Sequence, residues 1–313
     1  MLMEPSTLPN TELLARHLSK LFSANGIEKN VQVISRTAFK GSSTFPAEII
    51  SCQFPDGKAL RLFGKYLAGL GPNNHGHRGG VEYEIKIYDE VLRKLPLPKA
   101  NFLGKCFFKE NDETLLLMDF LEGSISLKGN PDINLYLNAA SWAGRMHNFF
   151  ESDVPSFVKI YDKPYYTIWL TRMENEPSIL AAQSWLQDVI NYFRSHTDIL
   201  INAPQTLIHG EFYSKNILIL DGIAYPVDWE SAACAPGEID LASIIEARKP
   251  DVVERITESY IAARLEDSRF DRAGFEKRLW MAQLYLQFRF FFPKREEWRY
   301  DHMYALAKKL EIF

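Results

Sequence analysis

The chain has 313 residues, 46% hydrophobic and 24% charged, which is enough apolar material for a large core in one or two domains. A formal net charge of −4, with 36 lysines and arginines scattered rather than striped, leaves no electrostatic footprint for nucleic acid or an anionic membrane. Cys52, Cys106 and Cys234 lie far apart, without metal-ligand spacing, and read as reduced thiols rather than a disulfide framework. No apolar run approaches the roughly 18 residues of a membrane span, and MLMEPSTLPN lacks the charged and apolar regions of a secretory signal. The expectation is a soluble, cytoplasmic protein with no nucleic-acid or membrane partner; its oligomeric state is not legible here.

In chain order, residues 11–24 place Leu14, Leu18, Leu21 and Phe22 on one helical face, and Asn25-Gly26 ends that helix. VQVIS, EIISCQF and ALRLFGKYL are short β-branched or aromatic runs separated by GSST and PDG, the pattern of an antiparallel meander. A Gly- and His-rich loop, LGPNNHGHRGG, leads into VEYEIKIYDEVLRKL, a helix ending near Pro96. His75 and His77 in that loop read as exposed histidines rather than a metal site. NFLGKCFF and TLLLMDFL follow as strands. Beyond Glu122 the periodicity predicts helices near 132–150, 164–175, 179–195, 238–247, 250–265 and 271–292. A strand pair, NILIL and IAYPVD, turns at Asp221-Gly222. This predicts an α+β chain, with a small β-rich part over 1–120 and a larger helical part over 121–313.

The densest chemistry lies in HGEFYSKNILILDGIAYPVDWE, residues 209–230. Asn216 and Asp228 offer an amide oxygen and a carboxylate, the hard oxygen ligands that Mg²⁺ prefers. One precedes a short strand and the other follows the strand antiparallel to it, so a tight hairpin brings the two positions to one end. Glu211, five residues before Asn216, is placed to meet an acceptor hydroxyl, and His209 to brace the loop by hydrogen bonding.

HGEFYSKNIL followed by PVDWESAACAPGEIDLASII resembles the aminoglycoside phosphotransferase and choline kinase family of the protein-kinase-like superfamily. LLLMDFLEG at 115–123 looks like that family's interlobe hinge, and WAGRMHNFF at 142–150 like its helix ending in a Leu-His-type motif. The resemblance extends over nearly the whole chain and implies a bilobal protein-kinase-like fold. It also implies that Glu211 holds the catalytic-base position, that Asn216 and Asp228 are the Mg²⁺ ligands, and that Asp240 is a buried brace for the catalytic loop. By the same template Gly41, Ser42, Ser43 and Thr44 form the loop over the ATP phosphates. Lys65 in the third strand is then the phosphate-binding lysine, paired with Glu84, or alternatively Glu82, because a strand lysine in an apolar setting needs a carboxylate. Adenine is expected near Asp119, Phe120 and Leu121.

The departure from the pattern is Glu211, where the family carries aspartate. One more methylene moves the carboxylate by roughly a bond length, and a base misplaced by about 1 Å can cost on the order of 10²-fold. Lys65, Asn216 and Asp228 are all retained, so the sequence reads as a working ATP- and Mg²⁺-dependent kinase of a small-molecule hydroxyl. The alternatives are a peptide Ser/Thr kinase and a nucleotide-binding pseudokinase. Conventional activation-loop signatures are missing, since DWE runs quickly into GEIDLA. The aromatic run WMAQLYLQFRFFF is expected as core, with Trp280, Tyr285, Phe288 or Arg289 as candidates to touch an acceptor.

Overall fold

Helix α1 (Thr11–Ala24) starts where the Asn10 side chain accepts a hydrogen bond from the Leu13 amide at 2.9 Å, and it ends at Asn25 with Gly26 left-handed. Its apolar face, Leu14, Leu18 and Phe22, is fully buried with Ile50, Leu62, Leu115 and Leu117 of the neighbouring sheet. The structure is a computed structural model that describes residues 8–26, 30–41, 45–67, 79–151, 153–265, 272–291 and 297–313, the side chains of 177, 179 and 182 excepted. It divides into two units, residues 1–124 with 225–231, and residues 125–224 with 232–313.

In the first unit, β1 (Gln32–Ala38), β2 (Ala47–Gln53), β3 (Ala59–Tyr66), β4 (Phe102–Phe108) and β5 (Glu113–Asp119) form one antiparallel sheet in the order β1-β2-β3-β5-β4. The first three strands are the meander read from the sequence. Between β3 and β4 lies α2 (Gly80–Lys86), continued by a π-helical turn over Ile87–Val91 and a 3₁₀ turn over Leu92–Lys94. The predicted helix therefore exists, but changes its winding where Tyr88 and Val91 are drawn into the core. Cys52 and Cys106 are buried, and burial pushes both thiols up to about 12, which makes them packing residues rather than nucleophiles.

The second unit is mainly helical: α3 (Ile133–Phe150), α4 (Lys163–Glu174), α5 (Pro177–Ala182), α6 (Leu186–Ser195), α7 (Asp198–Ile201), α8 (Glu238–Ile245), α9 (Pro250–Leu265), α10 (Phe275–Phe290) and α11 (Glu297–Lys309). The continuous helix expected over 179–195 is two helices, because Gln183 is extended and interrupts the hydrogen-bond ladder. Helix α11 and the short α7 are additions to the sequence reading. Helices α3 and α9 approach closely at Gly144, where an added Cβ would lie 2.8 Å from Ala263 Cβ and 2.9 Å from the Tyr260 carbonyl oxygen.

Two small sheets carry the loops of interest. β7 (Gln205–Ile208) pairs antiparallel with β10 (Ala233–Pro236), and β6 (Ile125–Ser126), β8 (Ile217–Leu220) and β9 (Ile223–Pro226) lie in the order β6-β8-β9. Asp221 and Gly222 between β8 and β9 both have positive φ, as a tight hairpin turn requires. The α+β organisation and the protein-kinase-like split into a sheet unit and a helical unit agree with the sequence expectation. Among the described residues, no helix is long and apolar enough to cross a membrane.

Candidate active site

Within the sheet unit, Lys65 points from β3 into a ring of carboxylates. Its Nζ lies 2.8 Å from Glu84 Oε2 on α2, 2.6 Å from Asp228 Oδ1 and 3.3 Å from Glu230 Oε2. Burial disfavours the ammonium charge, but the three acids outweigh it and hold Lys65 above its ordinary range. Burial pushes the Glu84 carboxyl up, against the pull of Lys65. Glu84 also accepts a hydrogen bond from the Trp229 amide at 3.0 Å, and Gly79 N–H donates to the Glu230 carbonyl at 2.8 Å, so α2 and the 225–231 segment are tied together.

Asp228 sits with φ of 69°, a left-handed backbone that a non-glycine residue rarely adopts, and its side chain is 37% exposed. One oxygen from each of Glu84, Asp228 and Glu230 lies within 4.8 Å of the others. All three face the Lys65 ammonium and Glu84 and Glu230 are buried, so Asp228, the partly exposed member, is the hard-oxygen donor of this cluster that could serve Mg²⁺.

Within the helical unit, the loop after β7 is braced from beneath. Asp240 on α8, fully buried, accepts from the His209 amide at 2.7 Å through Oδ2 and from the Gly210 amide at 2.9 Å through Oδ1. Its Oδ2 also lies 3.3 Å from His147 Nε2, while His147 Nδ1 lies 2.9 Å from the Tyr260 hydroxyl. Burial lowers the His147 pKa despite the acid beside it, which favours a neutral ring. Gly210 has φ of 79°, so the chain turns sharply just before Glu211.

The Glu211 amide donates to His209 Nδ1 at 3.3 Å, and the Asn216 side-chain amide donates to the Glu211 carbonyl at 3.0 Å. Asn216 thereby ties the loop with its nitrogen, leaving Oδ1 as the side-chain oxygen able to serve a cation. The Glu211 side chain is itself buried, with Oε1 3.2 Å from Arg289 Nη2 and Oε2 4.0 Å from Lys215 Nζ.

Lys65, Glu84 and Asp228 thus meet in one cluster, and Glu82 is not part of it. His209, Glu211 and Asn216 share one loop. Asp119 accepts a hydrogen bond from Asn101 at 3.0 Å, Phe120 lies under the Arg61 guanidinium at 4.4 Å, and Leu121 follows them. Gly41 is exposed, whereas Ser42, Ser43 and Thr44 lie outside the described residues, as do His75 and His77. Tyr285, Phe288 and Arg289 are buried core residues, and Trp280 is half-buried. Glu230 has no role in the sequence reading and is signalled only by its place in DWE. Arg289 is a sequence candidate to touch an acceptor, but its contact with Glu211 spans 78 positions without any local signal.

The sequence matches the APH phosphotransferase enzyme family over residues 77–277. The chain belongs to that family. It is an enzyme, a phosphotransferase with a kinase-like fold. No curated protein matches it in sequence. Among solved structures, this phosphotransferase is similar to the choline kinase LicA from Streptococcus pneumoniae, with 13% identity, a TM-score of 0.62, and coverage of 95% of this chain and 98% of that one. The GDP complex of aminoglycoside 2'-phosphotransferase-IIIa gives 11% identity, a TM-score of 0.62, and coverage of 96% and 98%. Macrolide 2'-phosphotransferase MphH from Brachybacterium faecium gives 13%, 0.57, and coverage of 92% and 97%. At such identities these neighbours speak for the fold of the phosphotransferase.

Proposed function

We propose that the enzyme transfers the γ-phosphoryl group of ATP to a hydroxyl of a small molecule, with Glu211 as base. The observation that carries this reading is the ring of Glu84, Asp228 and Glu230 around Lys65, a buried cation and hard-oxygen cluster suited to a nucleotide's phosphates and Mg²⁺. Lys65 would hold the phosphates, Asp228 and Asn216 would ligate Mg²⁺, and residues 41–44 with Asp119–Leu121 would receive the rest of ATP. Bound there, Mg²⁺ supplies charge neutralisation for the phosphate oxygens. The acceptor oxygen forms a bond to Pγ as the bond from Pγ to the β-phosphate oxygen breaks. ADP departs, and the hydroxyl proton passes to the Glu211 carboxylate.

Nucleotide use is supported by the GDP complex of the aminoglycoside enzyme, and a small acceptor by the choline, aminoglycoside and macrolide enzymes of the same fold. Family membership does not choose among acceptors. The peptide kinase and pseudokinase readings gain no specific observation. A screen with radiolabelled ATP over hydroxylated metabolites, antibiotics and peptides, run beside Asp228→Ala, tests the proposal. The wild type is expected to label a small molecule, and Asp228→Ala to lose transfer while remaining folded, because Lys65 keeps Glu84 and Glu230. Wild-type turnover in Asp228→Ala would remove that residue from the site.

A further inference from the structure

Glu211 differs from aspartate by one methylene and one extra torsion, and a base must be held still to be useful. Within the helical unit, one side chain holds both the carboxylate of this residue and the carbonyl of the residue before it. Arg289, at the end of α10, donates from Nη1 to the Gly210 carbonyl at 3.0 Å and from Nη2 to Glu211 Oε1 at 3.2 Å. The same Nη1 reaches the Tyr285 hydroxyl at 3.2 Å and the Tyr161 hydroxyl at 3.4 Å, and Tyr285 is hydrogen bonded to Tyr165 at 2.7 Å. Trp169 and Phe290 lie against the guanidinium, with ring centroids at 5.9 Å and 4.9 Å.

The Arg289 and Glu211 side chains are only 1% and 4% exposed. Burying a guanidinium and a carboxylate is costly, and apolar side chains of similar size often serve stability as well or better. A planar fork that is always charged is, however, suited to freezing a flexible carboxylate in one orientation.

We propose that Arg289 is the positioning residue of Glu211, matched to the longer acid, so that glutamate and arginine together do what aspartate does alone in the family pattern. This rests on the reading of Glu211 as base. An aspartate at 211 would draw its carboxylate back by about one bond length from a partner already at 3.2 Å, leaving the buried arginine under-compensated. Arg289 acts on the base through the Glu211 carboxylate and the Gly210 carbonyl that precedes it, with no contact to the nucleotide required.

The test uses Mg·ATP hydrolysis, with water as acceptor, in wild type, Glu211→Gln, Arg289→Lys, Arg289→Gln and the Glu211→Gln/Arg289→Lys double variant. Melting temperature reports folding, and Arg289→Lys keeps a charge there if Arg289→Gln does not fold. The expected result for Arg289→Lys is a loss in kcat on the order of 10–10²-fold with the KM for ATP unchanged within about twofold. The double variant should be no slower than Glu211→Gln alone, since a residue that works through the base has nothing left to position. A purely structural role would instead multiply the two losses. Wild-type kcat in Arg289→Lys, or multiplied losses in the double variant, would overturn the inference while Glu211→Gln still shows its own loss. Equal rates for wild type and Glu211→Gln would remove the reading of Glu211 as base, and this inference with it.

Discussion

Lys65 shows how a single residue sets the terms for its neighbours. Three carboxylates around one buried ammonium are tolerable only while that ammonium is present. Lys65→Ala should therefore impair ATP use and also lower stability, by about 3–5 kcal/mol if the acids stay ionised and by less if one takes up a proton. Lys65→Arg should not restore nucleotide use, because a planar fork cannot occupy the place of a point charge facing three partners. Denaturant unfolding and titration with a fluorescent ATP analogue check both parts. Stability and affinity unchanged in Lys65→Ala would place the lysine outside the site. His147 gives a second case, read through pH. Burial lowers its pKa from 6.5, so the unfolded chain binds a proton that the folded chain resists. Its stabilising contribution is present above about 6.5 and is lost as pH falls toward the depressed value. Unfolding free energy measured from pH 7.5 to 5 should thus fall more steeply in the wild type than in His147→Gln; identical slopes would contradict a neutral buried ring.

Among the elements, contact between α3 and α9 depends on the missing side chain at Gly144. Gly144→Ala should force the helices apart and cost about 1–3 kcal/mol, the usual range for overpacking. Urea unfolding measures it, and an unchanged or higher midpoint would show that the interface yields freely. Helix α3 also carries His147, so its displacement should reach the Asp240 brace. Elements with strong periodicity and clear punctuation were legible from sequence: α1 with its Asn25-Gly26 stop, the meander with its Pro55-Asp56-Gly57 turn, and the β8–β9 hairpin at Asp221-Gly222. The break at Gln183 and the winding change after Lys86 were not, because apolar spacing persists through both while tertiary packing decides the backbone. The site divides in the same way. Lys65, Glu84 and Asp228 in the sheet unit, and Glu211 and Asn216 in the helical unit, stand in short motifs whose residue types single them out as candidates. Arg289 lies in an aromatic helix that reads as core, and only the fold brings it to Glu211.

Across the whole molecule, a sheet unit holding a caged lysine and a helical unit holding a braced acidic loop belong to one phosphotransferase chain. Asp240, Asn216 and Arg289 hold the loop that carries Glu211 through hydrogen bonds to the His209 amide, the Glu211 carbonyl and the Glu211 carboxylate. The most direct measurement is the rate of γ-phosphoryl transfer from radiolabelled ATP in wild type and Glu211→Gln, with nucleotide affinity measured alongside. A working base predicts measurable wild-type transfer that falls by about 10²–10⁴-fold in Glu211→Gln, with ATP affinity nearly unchanged. A wild type that binds ATP but transfers to nothing, or a Glu211→Gln variant as fast as the wild type, would contradict it.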